Sequence, residues 1–332
     1  MNENFFNLYF QVSRKECDLF MVTDAEIKTK ISPFAMREGE IKKFAGKDGF
    51  VSINQIISRI NNEQITDVHF KILELINKFE FMTSRQIFQM LKINNVDIDS
   101  QDKVNTKLEQ MIKLKILTRY FFESEEGQGI FRIYCMEKMG KYLLNSKEIE
   151  CKWQPTDNTK PIEMLKKRLA GNQVIIAYLQ KVGLTKSYEP KPTLSAKMMG
   201  RKFKVTGGIV KLEKEKKQLD FLFEVVRREE DWTNKLVDKM RLYQDFYDNF
   251  VPMDGGFTQK PLIIFVCEDD KHMAETFKNI VVNNVEINNV PLYFTTDLKQ
   301  ISEKLGKTLV KFVLDKETKK YKVENPDIAI LN

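Results

Sequence analysis

The residues best placed to do chemistry lie between Val205 and Glu230, VTGGIVKLEKEKKQLDFLFEVVRREE, where one acid, Glu224, interrupts an apolar, strand-like run. Residues two apart on a strand point to the same side, so a pair of acids at that spacing can share a divalent cation. Glu224 has Val226 at that position, and the next acid on its own face, Asp220, lies four residues back. At about 3.3 Å per residue their α-carbons are roughly 13 Å apart, too far for both carboxylates to grip one ion. Arg227 points to the opposite side, and neither it nor Arg228 can serve as a general base. If Glu224 is buried it needs a partner, for which Lys204 and Arg228 are candidates; if its strand is an exposed edge, it is simply solvated. No catalytic residue, metal or cofactor is expected from this stretch.

Elsewhere the means for catalysis are sparse. The only histidines, His69 and His272, are isolated in sequence, which argues against a histidine-based metal centre or a Ser-His-Asp hydrolase. His69 lies inside an amphipathic run and reads as a packed residue. Cys17, Cys135, Cys151 and Cys267 are far apart and form no C-x-x-C pair, so they read as reduced thiols and not as a disulfide frame or zinc site. The composition, 42% hydrophobic and 30% charged over 332 residues, suits a soluble protein of two domains. A net charge of +7 permits a polyanionic partner without requiring one. Apolar runs such as PLIIFVC are too short to span a bilayer, and MNENFFNLYFQVSRKE lacks the pattern of a secretory signal. The expectation is a cytoplasmic protein without a membrane partner.

Residues 1–62 have no sustained period and read as an N-terminal arm or extension. From Thr66, apolar residues recur at helical spacing through Val68, Ile72, Leu75, Ile76 and Phe79. A second helix starts at the Thr83-Ser84 cap, and Ser100 caps a third, QDKVNTKLEQMIKLK. ILTRYFFES and GIFRIYC around a glycine-bearing turn predict a hairpin, and MEKMGKYLL a closing helix. On the third helix Val104, Leu108, Met111 and Ile112 fall on one side, while Lys103, Thr106, Lys107, Gln110 and Lys113 gather on the other. Lys115 and Arg119 extend the basic line. Ammonium groups suit phosphates, and Thr and Gln suit base edges, as a helix in the major groove requires. A solvated face is the plainer alternative. The acids Asp97, Asp99, Asp102, Glu123, Glu125 and Glu126 flank the line and favour a narrow contact.

The phrase TKLEQMIKLKILTRYFFESEEGQGIFRIYCMEKMGKYLL, with the helix order before it, resembles the winged helix-turn-helix of bacterial DNA-binding proteins over Thr66 to Leu144. That resemblance assigns residues 63–146 to a DNA-binding domain. The polar stretch 147–161, with Pro155 and Pro161, reads as a linker, with Trp153 able to dock it onto a domain.

Residues 162–332 predict a helix, successive strands, the long helix DWTNKLVDKMRLYQDFYDNF, then strands alternating with helices: a mixed sheet with helices on its faces. Trp232, Leu236, Met240, Tyr243 and Tyr247 form a stripe that packs on the sheet. KLEKEKK, 211–217, reads as a solvated turn. The fold class expected is α+β or α/β in two domains. The element order, with Gly208-Ile209-Val210, Phe223-Glu224-Val225, Lys235, Leu236, Lys239 and Tyr243, resembles the restriction-endonuclease-like PD-(D/E)XK core. With the preceding domain, it resembles the replication-relaxation family of plasmids and other mobile elements, from about Thr66 to Thr296. The resemblance implies an acid on the second strand and an acid and lysine two apart on the third. Thr206, Gly207 and Val226 stand there instead, leaving Glu224 as a residual motif position in a degenerate domain.

These readings together predict a sequence-selective protein that binds double-stranded DNA in replication, maintenance, transfer or their transcriptional control. A homodimer and a replication or transfer protein as partner are expected. The alternatives are a metal-dependent endonuclease with a rearranged site, or a protein-interaction module.

Overall fold

The computed structural model describes residues 32–123, 131–182, 185–214, 217–302, 304–315 and 320–331. Cys17, Glu125, Glu126, the hairpin turn at 125–129, the helix end at Gly183 and Glu215 lie outside the described residues.

The chain from Ser32 first touches residues far along the sequence, then forms β1 (Ile41–Phe44) and α1 (Ile53–Asn61), which Ser52 caps through a Gln55 capping box. Then come α2 (Asp67–Phe79), the two-residue β2 (Phe81–Met82), α3 (Ser84–Ile93) and α4 (Gln101–Lys113). The Thr83 hydroxyl accepts the Gln86 N–H at the start of α3, and the Ser100 hydroxyl accepts the Lys103 N–H at the start of α4. β3 (Leu117–Glu123) and β4 (Phe131–Met136) form the predicted antiparallel hairpin, and α5 (Lys138–Ser146) follows. The sheet order is β1-β3-β4-β2. β1 thus lies along the outer side of the hairpin, and the segment before residue 62 is in part a strand of this sheet. No sequence period announced it, since IKKF is too short to show one.

The stretch between the halves is held down along its length. Cys151 and Asn158 are buried, the Asn158 side chain donates to Met136 O (2.9 Å), and Lys141 Nζ donates to Trp153 O (2.8 Å). Trp153 does dock, its indole N–H 3.3 Å from Asn158 Oδ1.

α6 (Ile162–Val182) is the element both halves share. Its hydrophobic residues are spread around the helix, and Leu169 to Tyr178 are buried without interruption, as expected of a helix enclosed on all sides. Asn172 Nδ2 donates to Phe81 O (2.7 Å), and Gln86 Nε2 donates to Leu169 O (2.7 Å), tying α6 to β2 and α3. On another face, Gly171 lies against Thr206 and Gly207 so closely that an added Cβ would stand 2.8 Å from Gly207 Cα and Thr206 O.

Beyond α6 the strands are β5 (Thr185–Glu189), β6 (Thr193–Ala196), β7 (Arg201–Lys204), β8 (Gly208–Lys214) and β9 (Lys217–Val225). α7 (Trp232–Asp248), β10 (Leu262–Cys267), α8 (Asp270–Val282), β11 (Leu292–Thr296), the short helices α9 (Asp297–Ser302) and α10 (Leu305–Thr308), and the hairpin β12 (Lys311–Leu314) and β13 (Tyr321–Glu324) complete the order. The main sheet runs β11-β10-β9-β8-β5, with β9, β10 and β11 parallel and β8 antiparallel to both neighbours. Each parallel step is bridged by a helix, α7 and then α8, as parallel pairing demands. This is the mixed sheet the sequence predicts. β6 and β7 pair only with each other, as a separate ribbon. The two-residue period on β9 sends Phe221, Phe223 and Val225 into the core shared with α6, and Leu222 and Val226 into the core shared with α7. Of the α7 stripe, Leu236, Met240, Tyr243 and Tyr247 are buried and Trp232 packs beside them.

Candidate functional site

α4 presents the polar face that its sequence predicts, with Val104, Leu108, Met111 and Ile112 fully buried behind it. The outward residues are not equally available. Lys103 Nζ lies 2.7 Å from Asp99 Oδ2, an exposed pair that raises the lysine pKa and lowers that of the aspartate. The Thr106 hydroxyl donates to Asp102 O (2.9 Å). Lys107 is half-buried, and desolvation lowers its pKa. Lys113 is exposed, and Lys115 turns the chain out of the helix at φ 55°. Arg119 does not extend the basic line. Its guanidinium pairs with Glu109, Nε donates to Ala45 O (3.3 Å), and its side chain is only 14% exposed. The reason is β1, whose connection to α1 covers the arginine and was not legible in the sequence.

Gln110 is joined to His69. The Thr66 N–H donates to His69 Nδ1 (3.0 Å), so the ring proton sits on Nε2 and is given to Gln110 Oε1 (3.1 Å). The oxygen of the Gln110 amide is thereby spent on positioning α4 against α2, while its NH2 points away from this bond. Burial lowers the His69 pKa, with Lys107 adding to the effect and the Gln110 and Thr66 bonds opposing it.

Glu224 sits on the central strand β9 and is 5% exposed, so it is not an edge residue. Its partners are neither Lys204 nor Arg228. Tyr243 Oη donates to Oε2 (2.6 Å), the Thr206 hydroxyl to Oε1 (3.0 Å) and the Thr206 N–H to Oε2 (3.4 Å), with Lys239 Nζ 3.7 Å from Oε1. Burial and the adjacent carboxylate push the Tyr243 pKa well up, which keeps its proton for this bond. Lys204 contributes only its carbonyl, which accepts from Lys239. Arg228 faces Asp269, Glu268 and Glu275 instead. The carboxylate therefore fastens α7 to β9 and to the turn before β8, with its lone pairs committed to donors. The signal for Tyr243 lay in the helical stripe, which shows that a face packs but not which strand residue it meets; Lys239 lies outside that stripe and has a signal only in the nuclease-like resemblance.

Gly207 is confined in turn. Its N–H donates to Phe223 O (2.9 Å), and a Cβ there would stand 2.6 Å from that oxygen and 2.7 Å from Phe223 Cβ. Asp220 is buried, one oxygen accepting from Gln218 (2.9 Å) and the other without a hydrogen-bond partner among the described residues. Among the described residues no three or more His, Cys, Asp or Glu side chains are grouped to hold a metal ion. No described helix is long and apolar enough to cross a membrane. Cys135, Cys151 and Cys267 are buried free thiols, and burial pushes the Cys267 thiol up to about 12.

His272 is wholly buried at the start of α8, its Nδ1 accepting the Glu268 N–H (3.2 Å) and its ring edge-on to Trp232. Burial, then Arg228 and Arg227, lower its pKa to about 3. A folded value below the ordinary 6.5 means that the unfolded chain binds the proton more readily, so stability present above pH 6.5 is lost as pH falls towards 3. Between pH 6.5 and pH 5 this histidine should cost about 2 kcal/mol. Urea unfolding at the two pH values should show that loss in the wild type and a clearly smaller one in His272→Gln; equal losses would exclude the assignment.

Among curated proteins none matches the chain. A solved structure of the restriction endonuclease FokI aligns with 72% of this chain at 11% identity and a TM-score of 0.27. The alignment takes in 43% of the FokI chain, and a superposition that loose carries no weight for the fold. The profile of the replication-relaxation family matches residues 73–259, from within α2 to the turn before β10, spanning α4 and the strands around Glu224. With more than half of its length matched, the chain belongs to the replication-relaxation family.

Proposed function

We propose that the protein is a sequence-selective DNA-binding protein of a plasmid or other mobile element, acting in replication, maintenance, transfer or their transcriptional control. Residues 63–146 serve as a winged helix-turn-helix, with α4 entering the major groove and the β3–β4 hairpin as the wing. Residues 162–332 act as a nuclease-like scaffold for dimerisation or for a replication or transfer protein. Family membership supports the setting. The observation that carries the DNA reading is α4 itself: a fully buried apolar side behind an outward row of Lys103, Thr106, Gln110 and Lys113, with Lys107 at its margin. Neither Lys107 nor Lys113 has an ion-pair partner among the described residues, so both are available to phosphates.

The test is fluorescence anisotropy on duplex fragments of the host element over a range of salt. Lys107→Ala with Lys113→Ala should weaken binding by a factor of tens near 0.1 M salt and make the log–log salt slope shallower by about 2. An unchanged affinity and slope would remove α4 as the contact. Cleavage of the same fragments with magnesium or manganese, abolished by Glu224→Ala, would favour the endonuclease reading instead.

A further inference from the structure

Residues 191–204, KPTLSAKMMGRKFK, carry five cations and no acid. They form the β6–β7 ribbon, of which the sequence predicts only Thr193 and Leu194, as the end of the edge-type strand SYEPKPTL. In its register Thr193 faces Lys204, Leu194 faces Phe203, Ser195 faces Lys202 and Ala196 faces Arg201. Alternation gives it two unlike sides. Leu194, Ala196 and Phe203 are buried against α7, with Phe203 edge-on to Tyr243 at 5.1 Å. Thr193, Ser195, Lys202 and Lys204 make up the exposed side, two hydroxyls opposite two ammonium groups. Arg201, Lys202 and Lys204 have no ion-pair partner among the described residues.

The tip is exposed but fixed. Met198 is 80% and Met199 43% exposed, yet their backbone N–H groups donate to the two oxygens of Asp245 (3.2 and 2.8 Å). Asn249 holds that carboxylate through Nδ2 (2.7 Å), and Lys197 pairs with Asp254 at 2.5 Å. Gly200, at φ 62°, closes the turn. Two large apolar side chains are thus kept in water on a pre-ordered turn beside unpaired cations, so little ordering remains to be paid on binding.

We infer that this ribbon is a second contact for duplex DNA, additional to α4. Its outer side is a two-stranded surface of the width a groove admits, with Lys202 and Lys204 for phosphates and Met198 for apolar contact within the groove; Arg201, exposed beside the turn at the strand end, is a third cation for phosphates. Charge complementarity selects the occupant. The inference rests on the DNA-binding reading above and is tested so that the two can fail separately.

Full-length wild type, Arg201→Gln/Lys202→Gln/Lys204→Gln, Met198→Ser and Lys107→Ala/Lys113→Ala are compared by anisotropy on one long duplex, after thermal melting confirms that each is folded. Three lost phosphate contacts should weaken the ribbon variant's binding at low salt and make its log–log salt slope shallower by about 2.7, so that over a fourfold rise in salt it loses about 40-fold less affinity than wild type does. Met198→Ser should lower affinity several-fold with the slope unchanged. The single reversal Lys202→Glu, at an exposed position, serves if the triple variant fails to fold. A ribbon variant with wild-type affinity and slope, beside an α4 variant that has lost both, overturns the ribbon and leaves α4 standing. Wild type that binds no duplex at low salt overturns both. Retention on phosphatidylserine vesicles that the ribbon substitutions abolish, with DNA binding unaltered, overturns DNA as the occupant.

Discussion

Gly207→Asp is expected to abolish cooperative folding of the protein, or to cost about 4 kcal/mol or more where a fold survives. The position is one of the two, Thr206 or Gly207, at which the nuclease-like pattern would place an acid, so the substitution adds such an acid where the packing leaves no space for it. A Cβ would meet Phe223 O at 2.6 Å and Phe223 Cβ at 2.7 Å, and on the other side Gly171 brings α6 against Gly207 Cα. The main obstacle is backbone of the central strand, which cannot rotate away as a long side chain would. Thr206→Val is the control: it removes hydroxyl bonds to Glu224 and Val225 without adding bulk, and should cost about 1–2 kcal/mol. Thermal and urea unfolding measure both. A Gly207→Asp protein that melts within a few degrees of wild type would contradict the packing described.

Asp297→Ala is expected to destabilise the protein by about 3–5 kcal/mol, because it strands a guanidinium with no access to water. Arg227 is 0% exposed. Its NH2 reaches Asp297 Oδ1 at 2.8 Å and Oδ2 at 3.0 Å, and NH1 donates to Val226 O at 2.7 Å. The Ser32 hydroxyl donates to the same carboxylate, and Met36 N–H to Glu268 nearby (3.1 Å), so the first described residues are anchored at this pair. Arg227→Met with Asp297→Leu should recover much of the loss, since no unpaired charge is left behind. A double-mutant cycle by urea unfolding gives the coupling. If Asp297→Ala alone were neutral, the pair would not be the buried anchor of the N-terminal segment.

The helices of the first half and the alternation of the second were legible because their apolar residues repeat over many turns or many strand positions. α4 could be read to the residue, buried side and polar side alike. The failures share a cause. β1, β6 and β7 are four residues each, too short for a two-residue period to stand out. Arg119 was misread because its partner Glu109 and its cover from Ala45 are decided by tertiary packing. For Glu224 the sequence leaves burial with a partner and solvation on an edge both open, because Tyr243 and Lys239 come from a helix whose approach to the sheet no local pattern states. Thr206, one of the two residues standing where the nuclease-like pattern places an acid, is a donor to Glu224 alongside Tyr243.

α6 turns these local arrangements into a mechanical one. The helix packs against α3 on one side and β8 and β9 on the other, so α3, on which α4 rests, and the sheet beneath α7 and the β6–β7 ribbon bear on one element. On the DNA-binding reading proposed above, a duplex should satisfy both surfaces only when its grooves come round at the matching phase, and half a helical turn inserted between the two contacts should turn one of them to the wrong side.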